Sequence, residues 1–534
     1  MNSKENKLIR IEEITLELND REKILKPIIS EILGLPEKEI INYKIVKKNI
    51  DSRHKNILFV YSLDVEVKDI KKIKKWDLRY RARIHEPFVY QEKKITKKIS
   101  KNIVIVGSGP CGLFAGFLLA KAGLKPLIIE RGKSIDSRVK DVNKFLQKGN
   151  FNPKSNIQFG EGGAGTFSDG KLYTLINDPR SKYIFTELIK AGAPKEIAWS
   201  GTPHIGTDKL REVIKNIRQE IIKLGGKIKF ETCLTDLEIK NEKLETIILD
   251  NKEKILVDDL ILATGHSARD TYKMLHDCKL KMSAKAFSIG LRIEHQAEMI
   301  NKSQYGAFYN NPKLGAAKYK LVQHLKNKRT VYTFCMCPGG YVVAAASEEG
   351  GVVTNGMSEC AQDGKNSNSA LLVPVTPADF NSNHPLAGVE FQRQWEKKAY
   401  LSGGSNYFAP IQLVGDFLKN KISKEIKSVK PTYRPGVNFA SLDSCLPDYV
   451  IESLREAIPL LDKKIKGFAH PNAILTGVET RSSSPVRLER NEKYEANIAG
   501  IYPAGEGAGH AGGIVSSAID GLRVAEAIIE KYIK

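Results

Sequence analysis

Paired cysteines are missing from this sequence of 534 residues. It has seven cysteines, which are scattered, and none of them forms a CxxC pair. This odd, unpaired set argues against a disulfide framework and against a zinc site, so no metal site is predicted and most are expected to be core thiols. The seven are Cys111, Cys233, Cys278, Cys335, Cys337, Cys360 and Cys445.

Long apolar runs are missing as well. The longest, GLFAGFLLA, ends at Lys121 and is too short to span a membrane. The start, MNSKENKLIR, is polar and is followed by no apolar stretch of signal-peptide length. We therefore expect a soluble protein without a membrane partner, located in the cytoplasm.

Acidic residues are fewer than basic ones, 62 against 84, which gives a net charge of +22. Lys outnumbers Arg, and Ile and Asn are abundant, as an AT-rich genome would produce, so composition explains much of this charge. The tract 68–101 still has thirteen basic and four acidic residues, with Trp76, Tyr80, Phe88 and Tyr90 between them. A nucleic-acid partner is therefore possible but not favoured.

The chain is too long for a single hydrophobic core, and its periodicity changes along its length. Alternating and helical apolar patterns predict a small α/β module, which a basic linker joins to a strand–turn–helix unit. The predicted fold is α/β, with a Rossmann-like nucleotide-binding domain into which a mixed α+β substrate domain is inserted. The predicted boundaries are 1–100 for the module and linker, 101–275 and 470–534 for the two parts of the nucleotide-binding domain, and 276–469 for the insert.

Within the insert, residues 330–358 predict antiparallel strands joined by tight turns, and the polar residues 362–383 predict a loop. A helix near residue 448 is expected to be interrupted or to end near Pro459.

The stretch IVIVGSGPCG predicts a nucleotide-binding turn. Gly107 allows the tight turn, Gly109 lets the backbone approach a pyrophosphate, and Gly112 allows close packing of helix on strand. The next strand ends at Glu130, 23 residues after Gly107, where a carboxylate would accept hydrogen bonds from ribose hydroxyls and repel a 2′-phosphate. A dinucleotide other than NADP is therefore predicted here, with Ser108, Pro110 and Arg131 completing the site.

Two later motifs decide between FAD and NAD. They are LILATGHSARD at 260–270, and a strand, a glycine-rich turn and a helix at 497–528. Together with GxGxxG they resemble the three-part signature of flavoproteins built like glutathione reductase, which implies FAD as the cofactor. The resemblance assigns FAD contacts to Thr264, Gly265, Gly505, Glu506, Gly512 and Gly513. The chain departs from the family's pattern at Glu506, where the family has Asp.

The motifs NIQFGEGGAGTFSDGKL and GVETRSSSPVRLER resemble a narrower group of FAD-dependent dehydrogenases that also carry an N-terminal α/β module. The small residues of the first motif could lie flat against a ring or a phosphate. Gly163, Gly165 and Thr166 are therefore predicted beside the isoalloxazine, with a plain surface loop as the alternative.

A flavin disulfide reductase would need a redox cysteine pair and a second glycine fingerprint for NAD(P)H, and neither is visible after Glu130. NAD(P)H is therefore predicted only as a transient electron donor. Cys335 and Cys337 lie two apart in a predicted strand and face the same side. Extended strand geometry argues against a disulfide between them.

Candidate catalytic residues are few because the flavin itself carries the redox chemistry. His510 could be a general acid or base, or a histidine satisfied by backbone hydrogen bonds. Arg481 and Arg487 could hold an anionic substrate, or be structural. Arg292 interrupts a strand and faces either a cavity or the surface.

Three classes of function stay open. The first is an FAD-dependent oxidoreductase, a dehydrogenase or reductase that acts on an unidentified small molecule. The second is a flavin-dependent enzyme that modifies RNA through the basic tract. The third is a regulatory protein that holds FAD and recognises partners with its N-terminal module.

Overall fold

The computed structural model describes residues 8–54, 56–73, 79–97 and 99–533. Its N-terminal module is an antiparallel sheet in the order β2-β3-β1-β4, with helix α1 packed against it. Apolar residues alternate along β3, so one face of the strand is buried and the other is partly exposed. The elements are β1 (Leu8–Glu17), α1 (Leu25–Leu33), β2 (Ile40–Asp51), β3 (Leu58–Val67) and β4 (Arg81–His85).

A parallel sheet of five strands, in the order β23-β11-β5-β6-β7, follows the module. Strand β5 lies between β11 and β6, so the order of the strands reverses at β5. Such a reversal creates a crevice at the carboxyl ends of the strands. Its strands are β5 (Ile103–Val106), β6 (Leu127–Ile129), β7 (Lys227–Lys229), β11 (Asp259–Leu262) and β23 (Ile501–Pro503).

Helices α2 and α11 pack side by side against the parallel sheet. They approach so closely that a Cβ on Gly521 would lie 2.2 Å from the carbonyl oxygen of Cys111. The helices of this part are α2 (Pro110–Lys121), α3 (Ile135–Lys148), α4 (Arg180–Lys190), α5 (Thr207–Lys223), α6 (Arg269–Asp277) and α11 (Ile514–Ile533). A separate antiparallel sheet contains β8 (Leu234–Lys240), β9 (Lys243–Leu249) and β10 (Glu253–Leu256).

The inserted part is built on a sheet of seven strands, in the order β14-β15-β18-β13-β21-β19-β20. Strand β21 pairs with β13 and β19, although it follows the boundary predicted at residue 469. The strands are β13 (Phe287–Gln296), β14 (Val322–His324), β15 (Thr330–Cys337), β18 (Asn366–Val375), β19 (Ala409–Leu413), β20 (Val437–Phe439) and β21 (Ile474–Glu479).

Two short ribbons and four helices complete the insert. The ribbons pair β12 (Met282–Ala284) with β22 (Val486–Leu488) and β16 (Tyr341–Ala344) with β17 (Thr354–Met357). The helices are α7 (Ala297–Tyr305), α8 (Ala387–Ser402), α9 (Val414–Phe417) and α10 (Asp448–Asp462).

Two details differ from the sequence expectations. The loop predicted at 362–383 contains β18, whose polar first half, Asn366–Ser369, is buried between two partner strands that supply its hydrogen bonds. Helix α10 continues through Pro459 to Asp462 and does not stop at the proline.

The predicted α/β fold, with its Rossmann-like domain, its mixed insert and its N-terminal module, is confirmed. The exact domain boundaries stay a prediction. Within the described residues, none of the helices combines the length and the apolarity needed to cross a membrane.

Candidate cofactor-binding site

The turn between β5 and α2 has the geometry that its glycines predict. Gly107 has φ +105°, and a Cβ there would lie 2.3 Å from the carbonyl oxygen of Ala263. A Cβ on Gly112 would lie 1.9 Å from the carbonyl oxygen of Gly107. Gly109 is different, because the nearest atom to its Cβ position is Gly163 Cα at 3.9 Å. The first and third glycines are therefore required by the fold, and Gly109 leaves room for a ligand.

Glu130 follows β6 and is only 6% exposed. One carboxylate oxygen accepts hydrogen bonds from the backbone nitrogen and the hydroxyl of Ser108, both at 2.9 Å. The other accepts from the backbone nitrogens of Gly132 at 2.9 Å and Gly160 at 3.0 Å. Four donors already fill the carboxylate, so a ribose hydroxyl would have to replace the Ser108 hydroxyl. The sequence pattern did not reveal this second task of holding the turn and the glycine-rich loop together.

Arg131 is held beside the same strand end. Its guanidinium donates to both carboxylate oxygens of Asp270, at 3.0 and 2.9 Å, and to the hydroxyl of Thr271 at 2.8 Å. It also lies over the ring of Phe159, 4.5 Å from the centroid. The guanidinium is thus stacked and ion-paired with residues of the protein.

The glycine-rich loop after α3 is organised by Arg138, a residue that the sequence analysis missed. This side chain is fully buried and donates only to backbone carbonyls of the loop. The acceptors are Asn156 at 2.9 Å, Ile157 at 2.9 Å, Gly160 at 3.2 Å, Glu161 at 2.6 Å and Gly163 at 2.9 Å. Burial lowers the pKa of Arg138 to about 9, which still leaves it charged at neutral pH.

Arg138 holds the loop with its predicted contact residues against the two glycine turns. A Cβ on Gly163 would lie 3.0 Å from Gly109 Cα, and one on Gly165 would lie 3.2 Å from a side-chain carbon of Ile514. Thr166 is fully buried and donates to the carbonyl oxygen of Glu161 at 3.1 Å. Gly163 and Gly165 therefore line the space beside both helix ends, while the Thr166 hydroxyl is used inside the loop.

The loop after β11 meets the turn after β23. A Cβ on Gly507 would lie 2.5 Å from the carbonyl oxygen of Gly265, so the two loops touch through backbone alone. Gly505 donates from its backbone nitrogen to Asp520 at 2.7 Å, which fixes this turn on α11. Thr264 and Gly265 are half-buried, and nothing lies within 4 Å of a Cβ position on Gly265.

Glu506 and His266 form a pair at this junction. The carboxylate of Glu506 lies 3.1 Å from His266 Nδ1. The other ring nitrogen, Nε2, is buried and has no partner among the described residues. Glu506 was predicted from the sequence and His266 was not, although His266 directly follows the ATG motif.

Helix α11 begins at Ile514, directly after Gly512 and Gly513. Both glycines are exposed, and nothing lies within 4 Å of a Cβ position on Gly512. The backbone nitrogen of Ser517 makes the first bond to Gly513, so the N–H groups of the three preceding residues have no acceptor inside the helix. Pro110 and Gly109 open α2 in a similar way, because Gly109 has no side chain with which to cap the helix.

His510 is held by the protein through both ring nitrogens. Nε2 lies 2.9 Å from the carbonyl oxygen of Leu488, and Nδ1 lies 3.3 Å from the guanidinium of Arg487. Burial lowers the pKa of His510, so the ring is neutral at pH 7. This arrangement favours the structural interpretation of His510 over the acid–base one.

Arg481 is buried and makes a two-pronged ion pair with Glu396, at 3.0 and 2.8 Å. It also donates to Ser267, next to the ATG loop, at 3.0 Å. This geometry favours a structural role for Arg481, while Arg487 stays exposed. Arg292 is fully buried against Glu479, so its surface-facing interpretation was wrong.

The residues fit a dinucleotide with a planar ring. Gly109, Gly265 and Gly512 present backbone to open space, where no neighbouring protein atom requires a glycine. Two helix N-termini supply N–H groups and positive dipole ends to anionic groups. The buried, unpartnered Nε2 of His266 indicates that a polar partner completes the site.

Known families match three parts of the chain. Residues 286–482 match "FAD-dependent protein, C-terminal domain-like", residues 101–286 match "Pyridine nucleotide-disulphide oxidoreductase", and residues 8–66 match a domain of unknown function. The first two matches support FAD as the cofactor.

Solved structures that match this chain include the flavin-dependent brominase Bmp2 and the halogenase PltM. Bmp2 is 13% identical with a TM-score of 0.37, and the match covers 81% of this chain and 79% of Bmp2. PltM is 10% identical with a TM-score of 0.39, and the match covers 81% of this chain and 70% of PltM.

Two proteins match this sequence over very different lengths. The thiamine thiazole synthase of Methanococcus vannielii is 25% identical over 183 residues, which cover 32% of this chain and 58% of the synthase. A protein of Clostridium beijerinckii, described as uncharacterized, is 50% identical over 535 residues, which cover 98% of this chain and 99% of the relative. The chain therefore belongs to one family with this Clostridium beijerinckii protein, and it carries domains of FAD-dependent proteins.

Proposed function

We propose that this protein binds FAD non-covalently in the crevice at the carboxyl ends of β5, β11 and β23, and that it is an oxidoreductase acting on a small molecule. The observation that carries the proposal is the convergence there of two helix N-termini, open glycine backbone and the unpartnered Nε2 of His266. When bound, FAD supplies hydride or single-electron transfer.

Different residues of the chain are assigned to different parts of the cofactor. The N-terminus of α2 and the open backbone at Gly109 receive the pyrophosphate, because free N–H groups and a positive dipole end favour anions. Glu130 fixes the turn through the backbone nitrogen of Ser108 and accepts a ribose hydroxyl in place of the Ser108 hydroxyl. His266 donates or accepts at Nε2 toward the cofactor, while Glu506 fixes the orientation of the ring through Nδ1.

The N-terminus of α11 faces the same crevice, with small residues in front of it. Gly512 and Gly513 let a planar group approach the first N–H groups, which larger side chains would prevent. The positive end of the helix dipole there stabilises negative charge on that group. We assign these two glycines to the pyrimidine edge of the flavin.

The finer assignments are NAD(P)H as a transient electron donor and a dehydrogenase or reductase reaction. They rest on the single glycine fingerprint at Gly107–Gly112. We do not extend the proposal to nucleic acid, because basic residues of the tract 68–101 pair with acids of the protein. Examples are Arg83 with Glu12 at 3.0 Å and Lys101 with Asp258 at 2.8 Å. Trp76, named above for the same tract, lies outside the described residues.

The test begins with the purified full-length protein. We expect a yellow protein that releases FAD on acid precipitation, and a protein without flavin would overturn the cofactor assignment. Anaerobic mixing with NADH, NADPH and a panel of metabolites should bleach the flavin with at least one reductant. Tight FAD that no reductant bleaches would favour the regulatory alternative.

Gly109→Val and Ala307→Val form a pair of variants for locating the site. Gly109 has free space at its Cβ position, so valine there is expected to fold and to exclude the pyrophosphate. Ala307 is exposed and lies in the insert, in the short helical turn after α7, so valine there adds a branched side chain outside the nucleotide-binding domain. Loss of FAD from Gly109→Val and retention by Ala307→Val would support the proposed site, and equal flavin content in both variants would contradict it.

A further inference from the structure

Two cysteines of the insert meet a lysine of the nucleotide-binding domain, in contacts that the flavin proposal does not use. Lys171 Nζ lies 3.8 Å from Cys335 Sγ and 3.6 Å from Cys337 Sγ. The same ammonium makes an ion pair with Asp169 at 2.9 Å. Both cysteines are free thiols in the structure.

The strand that carries the two cysteines is not regular. Strand β15 pairs Phe334 with Ala370 and then Cys337 with Asn368, so two residues of β15 oppose one residue of β18. Cys335 lies in this bulge with φ +45°. The extended geometry that argued against a disulfide is therefore absent at this point, and the Cys337 thiol donates to the backbone carbonyl oxygen of Cys335 at 3.3 Å.

The two thiols differ in exposure and in charge environment. Cys335 is half-buried and follows Phe334, which is 37% exposed, whereas Cys337 is fully buried. The neighbouring Cys337 thiol and the ammonium of Lys171 hold the pKa of Cys335 well below its usual range. The neighbouring Cys335 thiol and burial raise the pKa of Cys337. The thiol of the half-buried residue is thus the one that ionises first.

The positive charge of Lys171 has an acidic partner, Asp169, whether or not Cys335 is a thiolate. Burial alone would lower its pKa, but the nearby thiols and Asp169 raise it. Its bond to Asp169 remains when Cys335 loses its negative charge. The guanidinium of Arg292 adds a second cation, because it donates to the carbonyl oxygen of Cys335 at 3.3 Å.

We propose that Cys335 and Cys337 form a reversible dithiol–disulfide pair that exchanges with low-molecular-weight disulfides, with Cys335 as the attacking thiolate, Cys337 as the resolving thiol and Lys171 as the positioning cation. The proposal uses none of the residues assigned above to the flavin and does not depend on bound FAD.

The exchange balances in two steps. The thiolate of Cys335 attacks one sulfur of the small disulfide, whose S–S bond breaks and releases one thiolate. That thiolate takes the proton of Cys337, which then attacks the mixed disulfide at Cys335 and releases the second sulfur as a thiolate that is protonated by water. Two electrons pass from the cysteine pair to the small disulfide, which leaves as two thiols.

The first experiment uses the full-length protein equilibrated with oxidised and reduced glutathione at a series of ratios. Free thiols are then alkylated, and peptides are mapped by mass spectrometry. We expect a Cys335–Cys337 disulfide that increases with the oxidised fraction and disappears with excess reduced glutathione. Alkylation of both cysteines at every ratio would overturn the proposal.

Single substitutions separate the two roles. Cys337→Ser should trap a glutathione adduct on Cys335, because the resolving thiol is missing. Cys335→Ser should leave Cys337 unmodified under the same conditions, and an equally fast adduct on Cys337 would refute the assigned order. Cys360→Ser is the control, since Cys360 is also half-buried but lies outside the pair.

The role of Lys171 is tested by the pH profile of Cys335 alkylation in the Cys337→Ser background, compared with Lys171→Met and Lys171→Arg. Methionine should move the profile to higher pH and slow the reaction at neutral pH about tenfold for each unit of displacement. Arginine keeps the positive charge and should restore most of the rate. Identical profiles for lysine and methionine would show that Lys171 only fills space.

Discussion

The two large sheets of this protein differ in where their buried charged residues lie. Strands β5, β6 and β23 of the parallel sheet are apolar along their length, the edge strand β7 has two exposed lysines, and the buried acids of the sheet, Glu130 and Asp259, lie where strands end or begin. Strand β13 of the seven-stranded sheet has Arg292, Glu294 and His295 in its fully buried middle. The parallel sheet thus has its buried charges at the ends of strands, whereas the seven-stranded sheet has them within a strand.

The buried charges of the seven-stranded sheet contribute to the stability of the fold and not to ligand binding. Buried charges are tolerated only when they are paired and hydrogen-bonded, and Arg292 meets Glu479 at 2.7 and 2.9 Å and Asn368 at 2.6 Å. Arg269 of α6 and Arg481 both bind Glu396 of α8, so charged pairs also join the nucleotide-binding part to the insert. The buried charges of the seven-stranded sheet therefore have structural partners, as does Asp259, which binds Lys531 and Tyr532, whereas Glu130 also lies at the proposed ligand crevice.

The largest expected effect is at Glu396. Burial alone would raise its pKa, but Arg269 and Arg481 lower it, so it is a carboxylate between two buried cations. Glu396→Ala leaves both guanidiniums buried without their main partner and should reduce the free energy of unfolding by about 3 to 5 kcal/mol. Denaturant titration measures the loss. Glu390→Ala on the same helix removes an exposed pair with Arg393 and should cost under about 1 kcal/mol, and similar losses in both variants would contradict the comparison.

A pH dependence of similar size is expected from His295. Burial lowers its pKa from 6.5 to about 4. Between these values the unfolded chain binds a proton that the folded protein does not, so the free energy of unfolding falls as the pH falls, by up to about 3 kcal/mol. His295→Gln should flatten this part of the stability profile, whereas His324→Gln, at an exposed position in the same sheet, should not change it. A parallel profile for His295→Gln would assign the acid sensitivity to other groups.

A smaller effect is expected at the edge of the parallel sheet. Glu130→Ala removes the acceptor of four hydrogen bonds that hold the turn and the glycine-rich loop. FAD affinity should fall by about 1 to 3 kcal/mol, as for the loss of charge-assisted hydrogen bonds, and fluorescence titration of the apoprotein measures it. Glu253→Ala is the control, because its ion pair with Lys229 lies at the surface. Unchanged affinity would remove Glu130 from the site.

The smallest expected effect is on the flavin potential. A Cβ on Gly513 would come no closer than 3.9 Å to Ser516 Oγ, so Gly513→Val fits the fold while pushing a planar ring away from the start of α11. The midpoint potential should fall by roughly 20 mV, which corresponds to about 1 kcal/mol for a two-electron couple. A redox titration that gives the same potential with FAD fully bound would show that the helix points elsewhere.

The strand–turn–helix unit at 103–121 could be predicted because all of its signals are local. Gly107 is required by its φ of +105° and Gly112 by its contact with the carbonyl oxygen of Gly107, both within the turn, and the alternation of strand and helix is visible within about thirty residues. The strand β18 could not be predicted in this way, because the polar residues Asn366–Ser369 resemble a loop. They form a strand only when β13 and β15 lie on either side of them.

The sequence by itself determined the nucleotide-binding turn, the order of the domains and the positions of the glycines that open the crevice, because these depend on short-range sterics and hydrophobic periodicity. Tertiary structure alone decided that Arg138 holds the glycine-rich loop, that Glu506 orients His266, and that Arg481 is bound to Glu396. Glu506 and His266 are 240 positions apart, and Arg481 and Glu396 are 85 apart. Whether a polar side chain serves a ligand or a structural partner depends on what the fold brings beside it, and local periodicity carries no information about that neighbour.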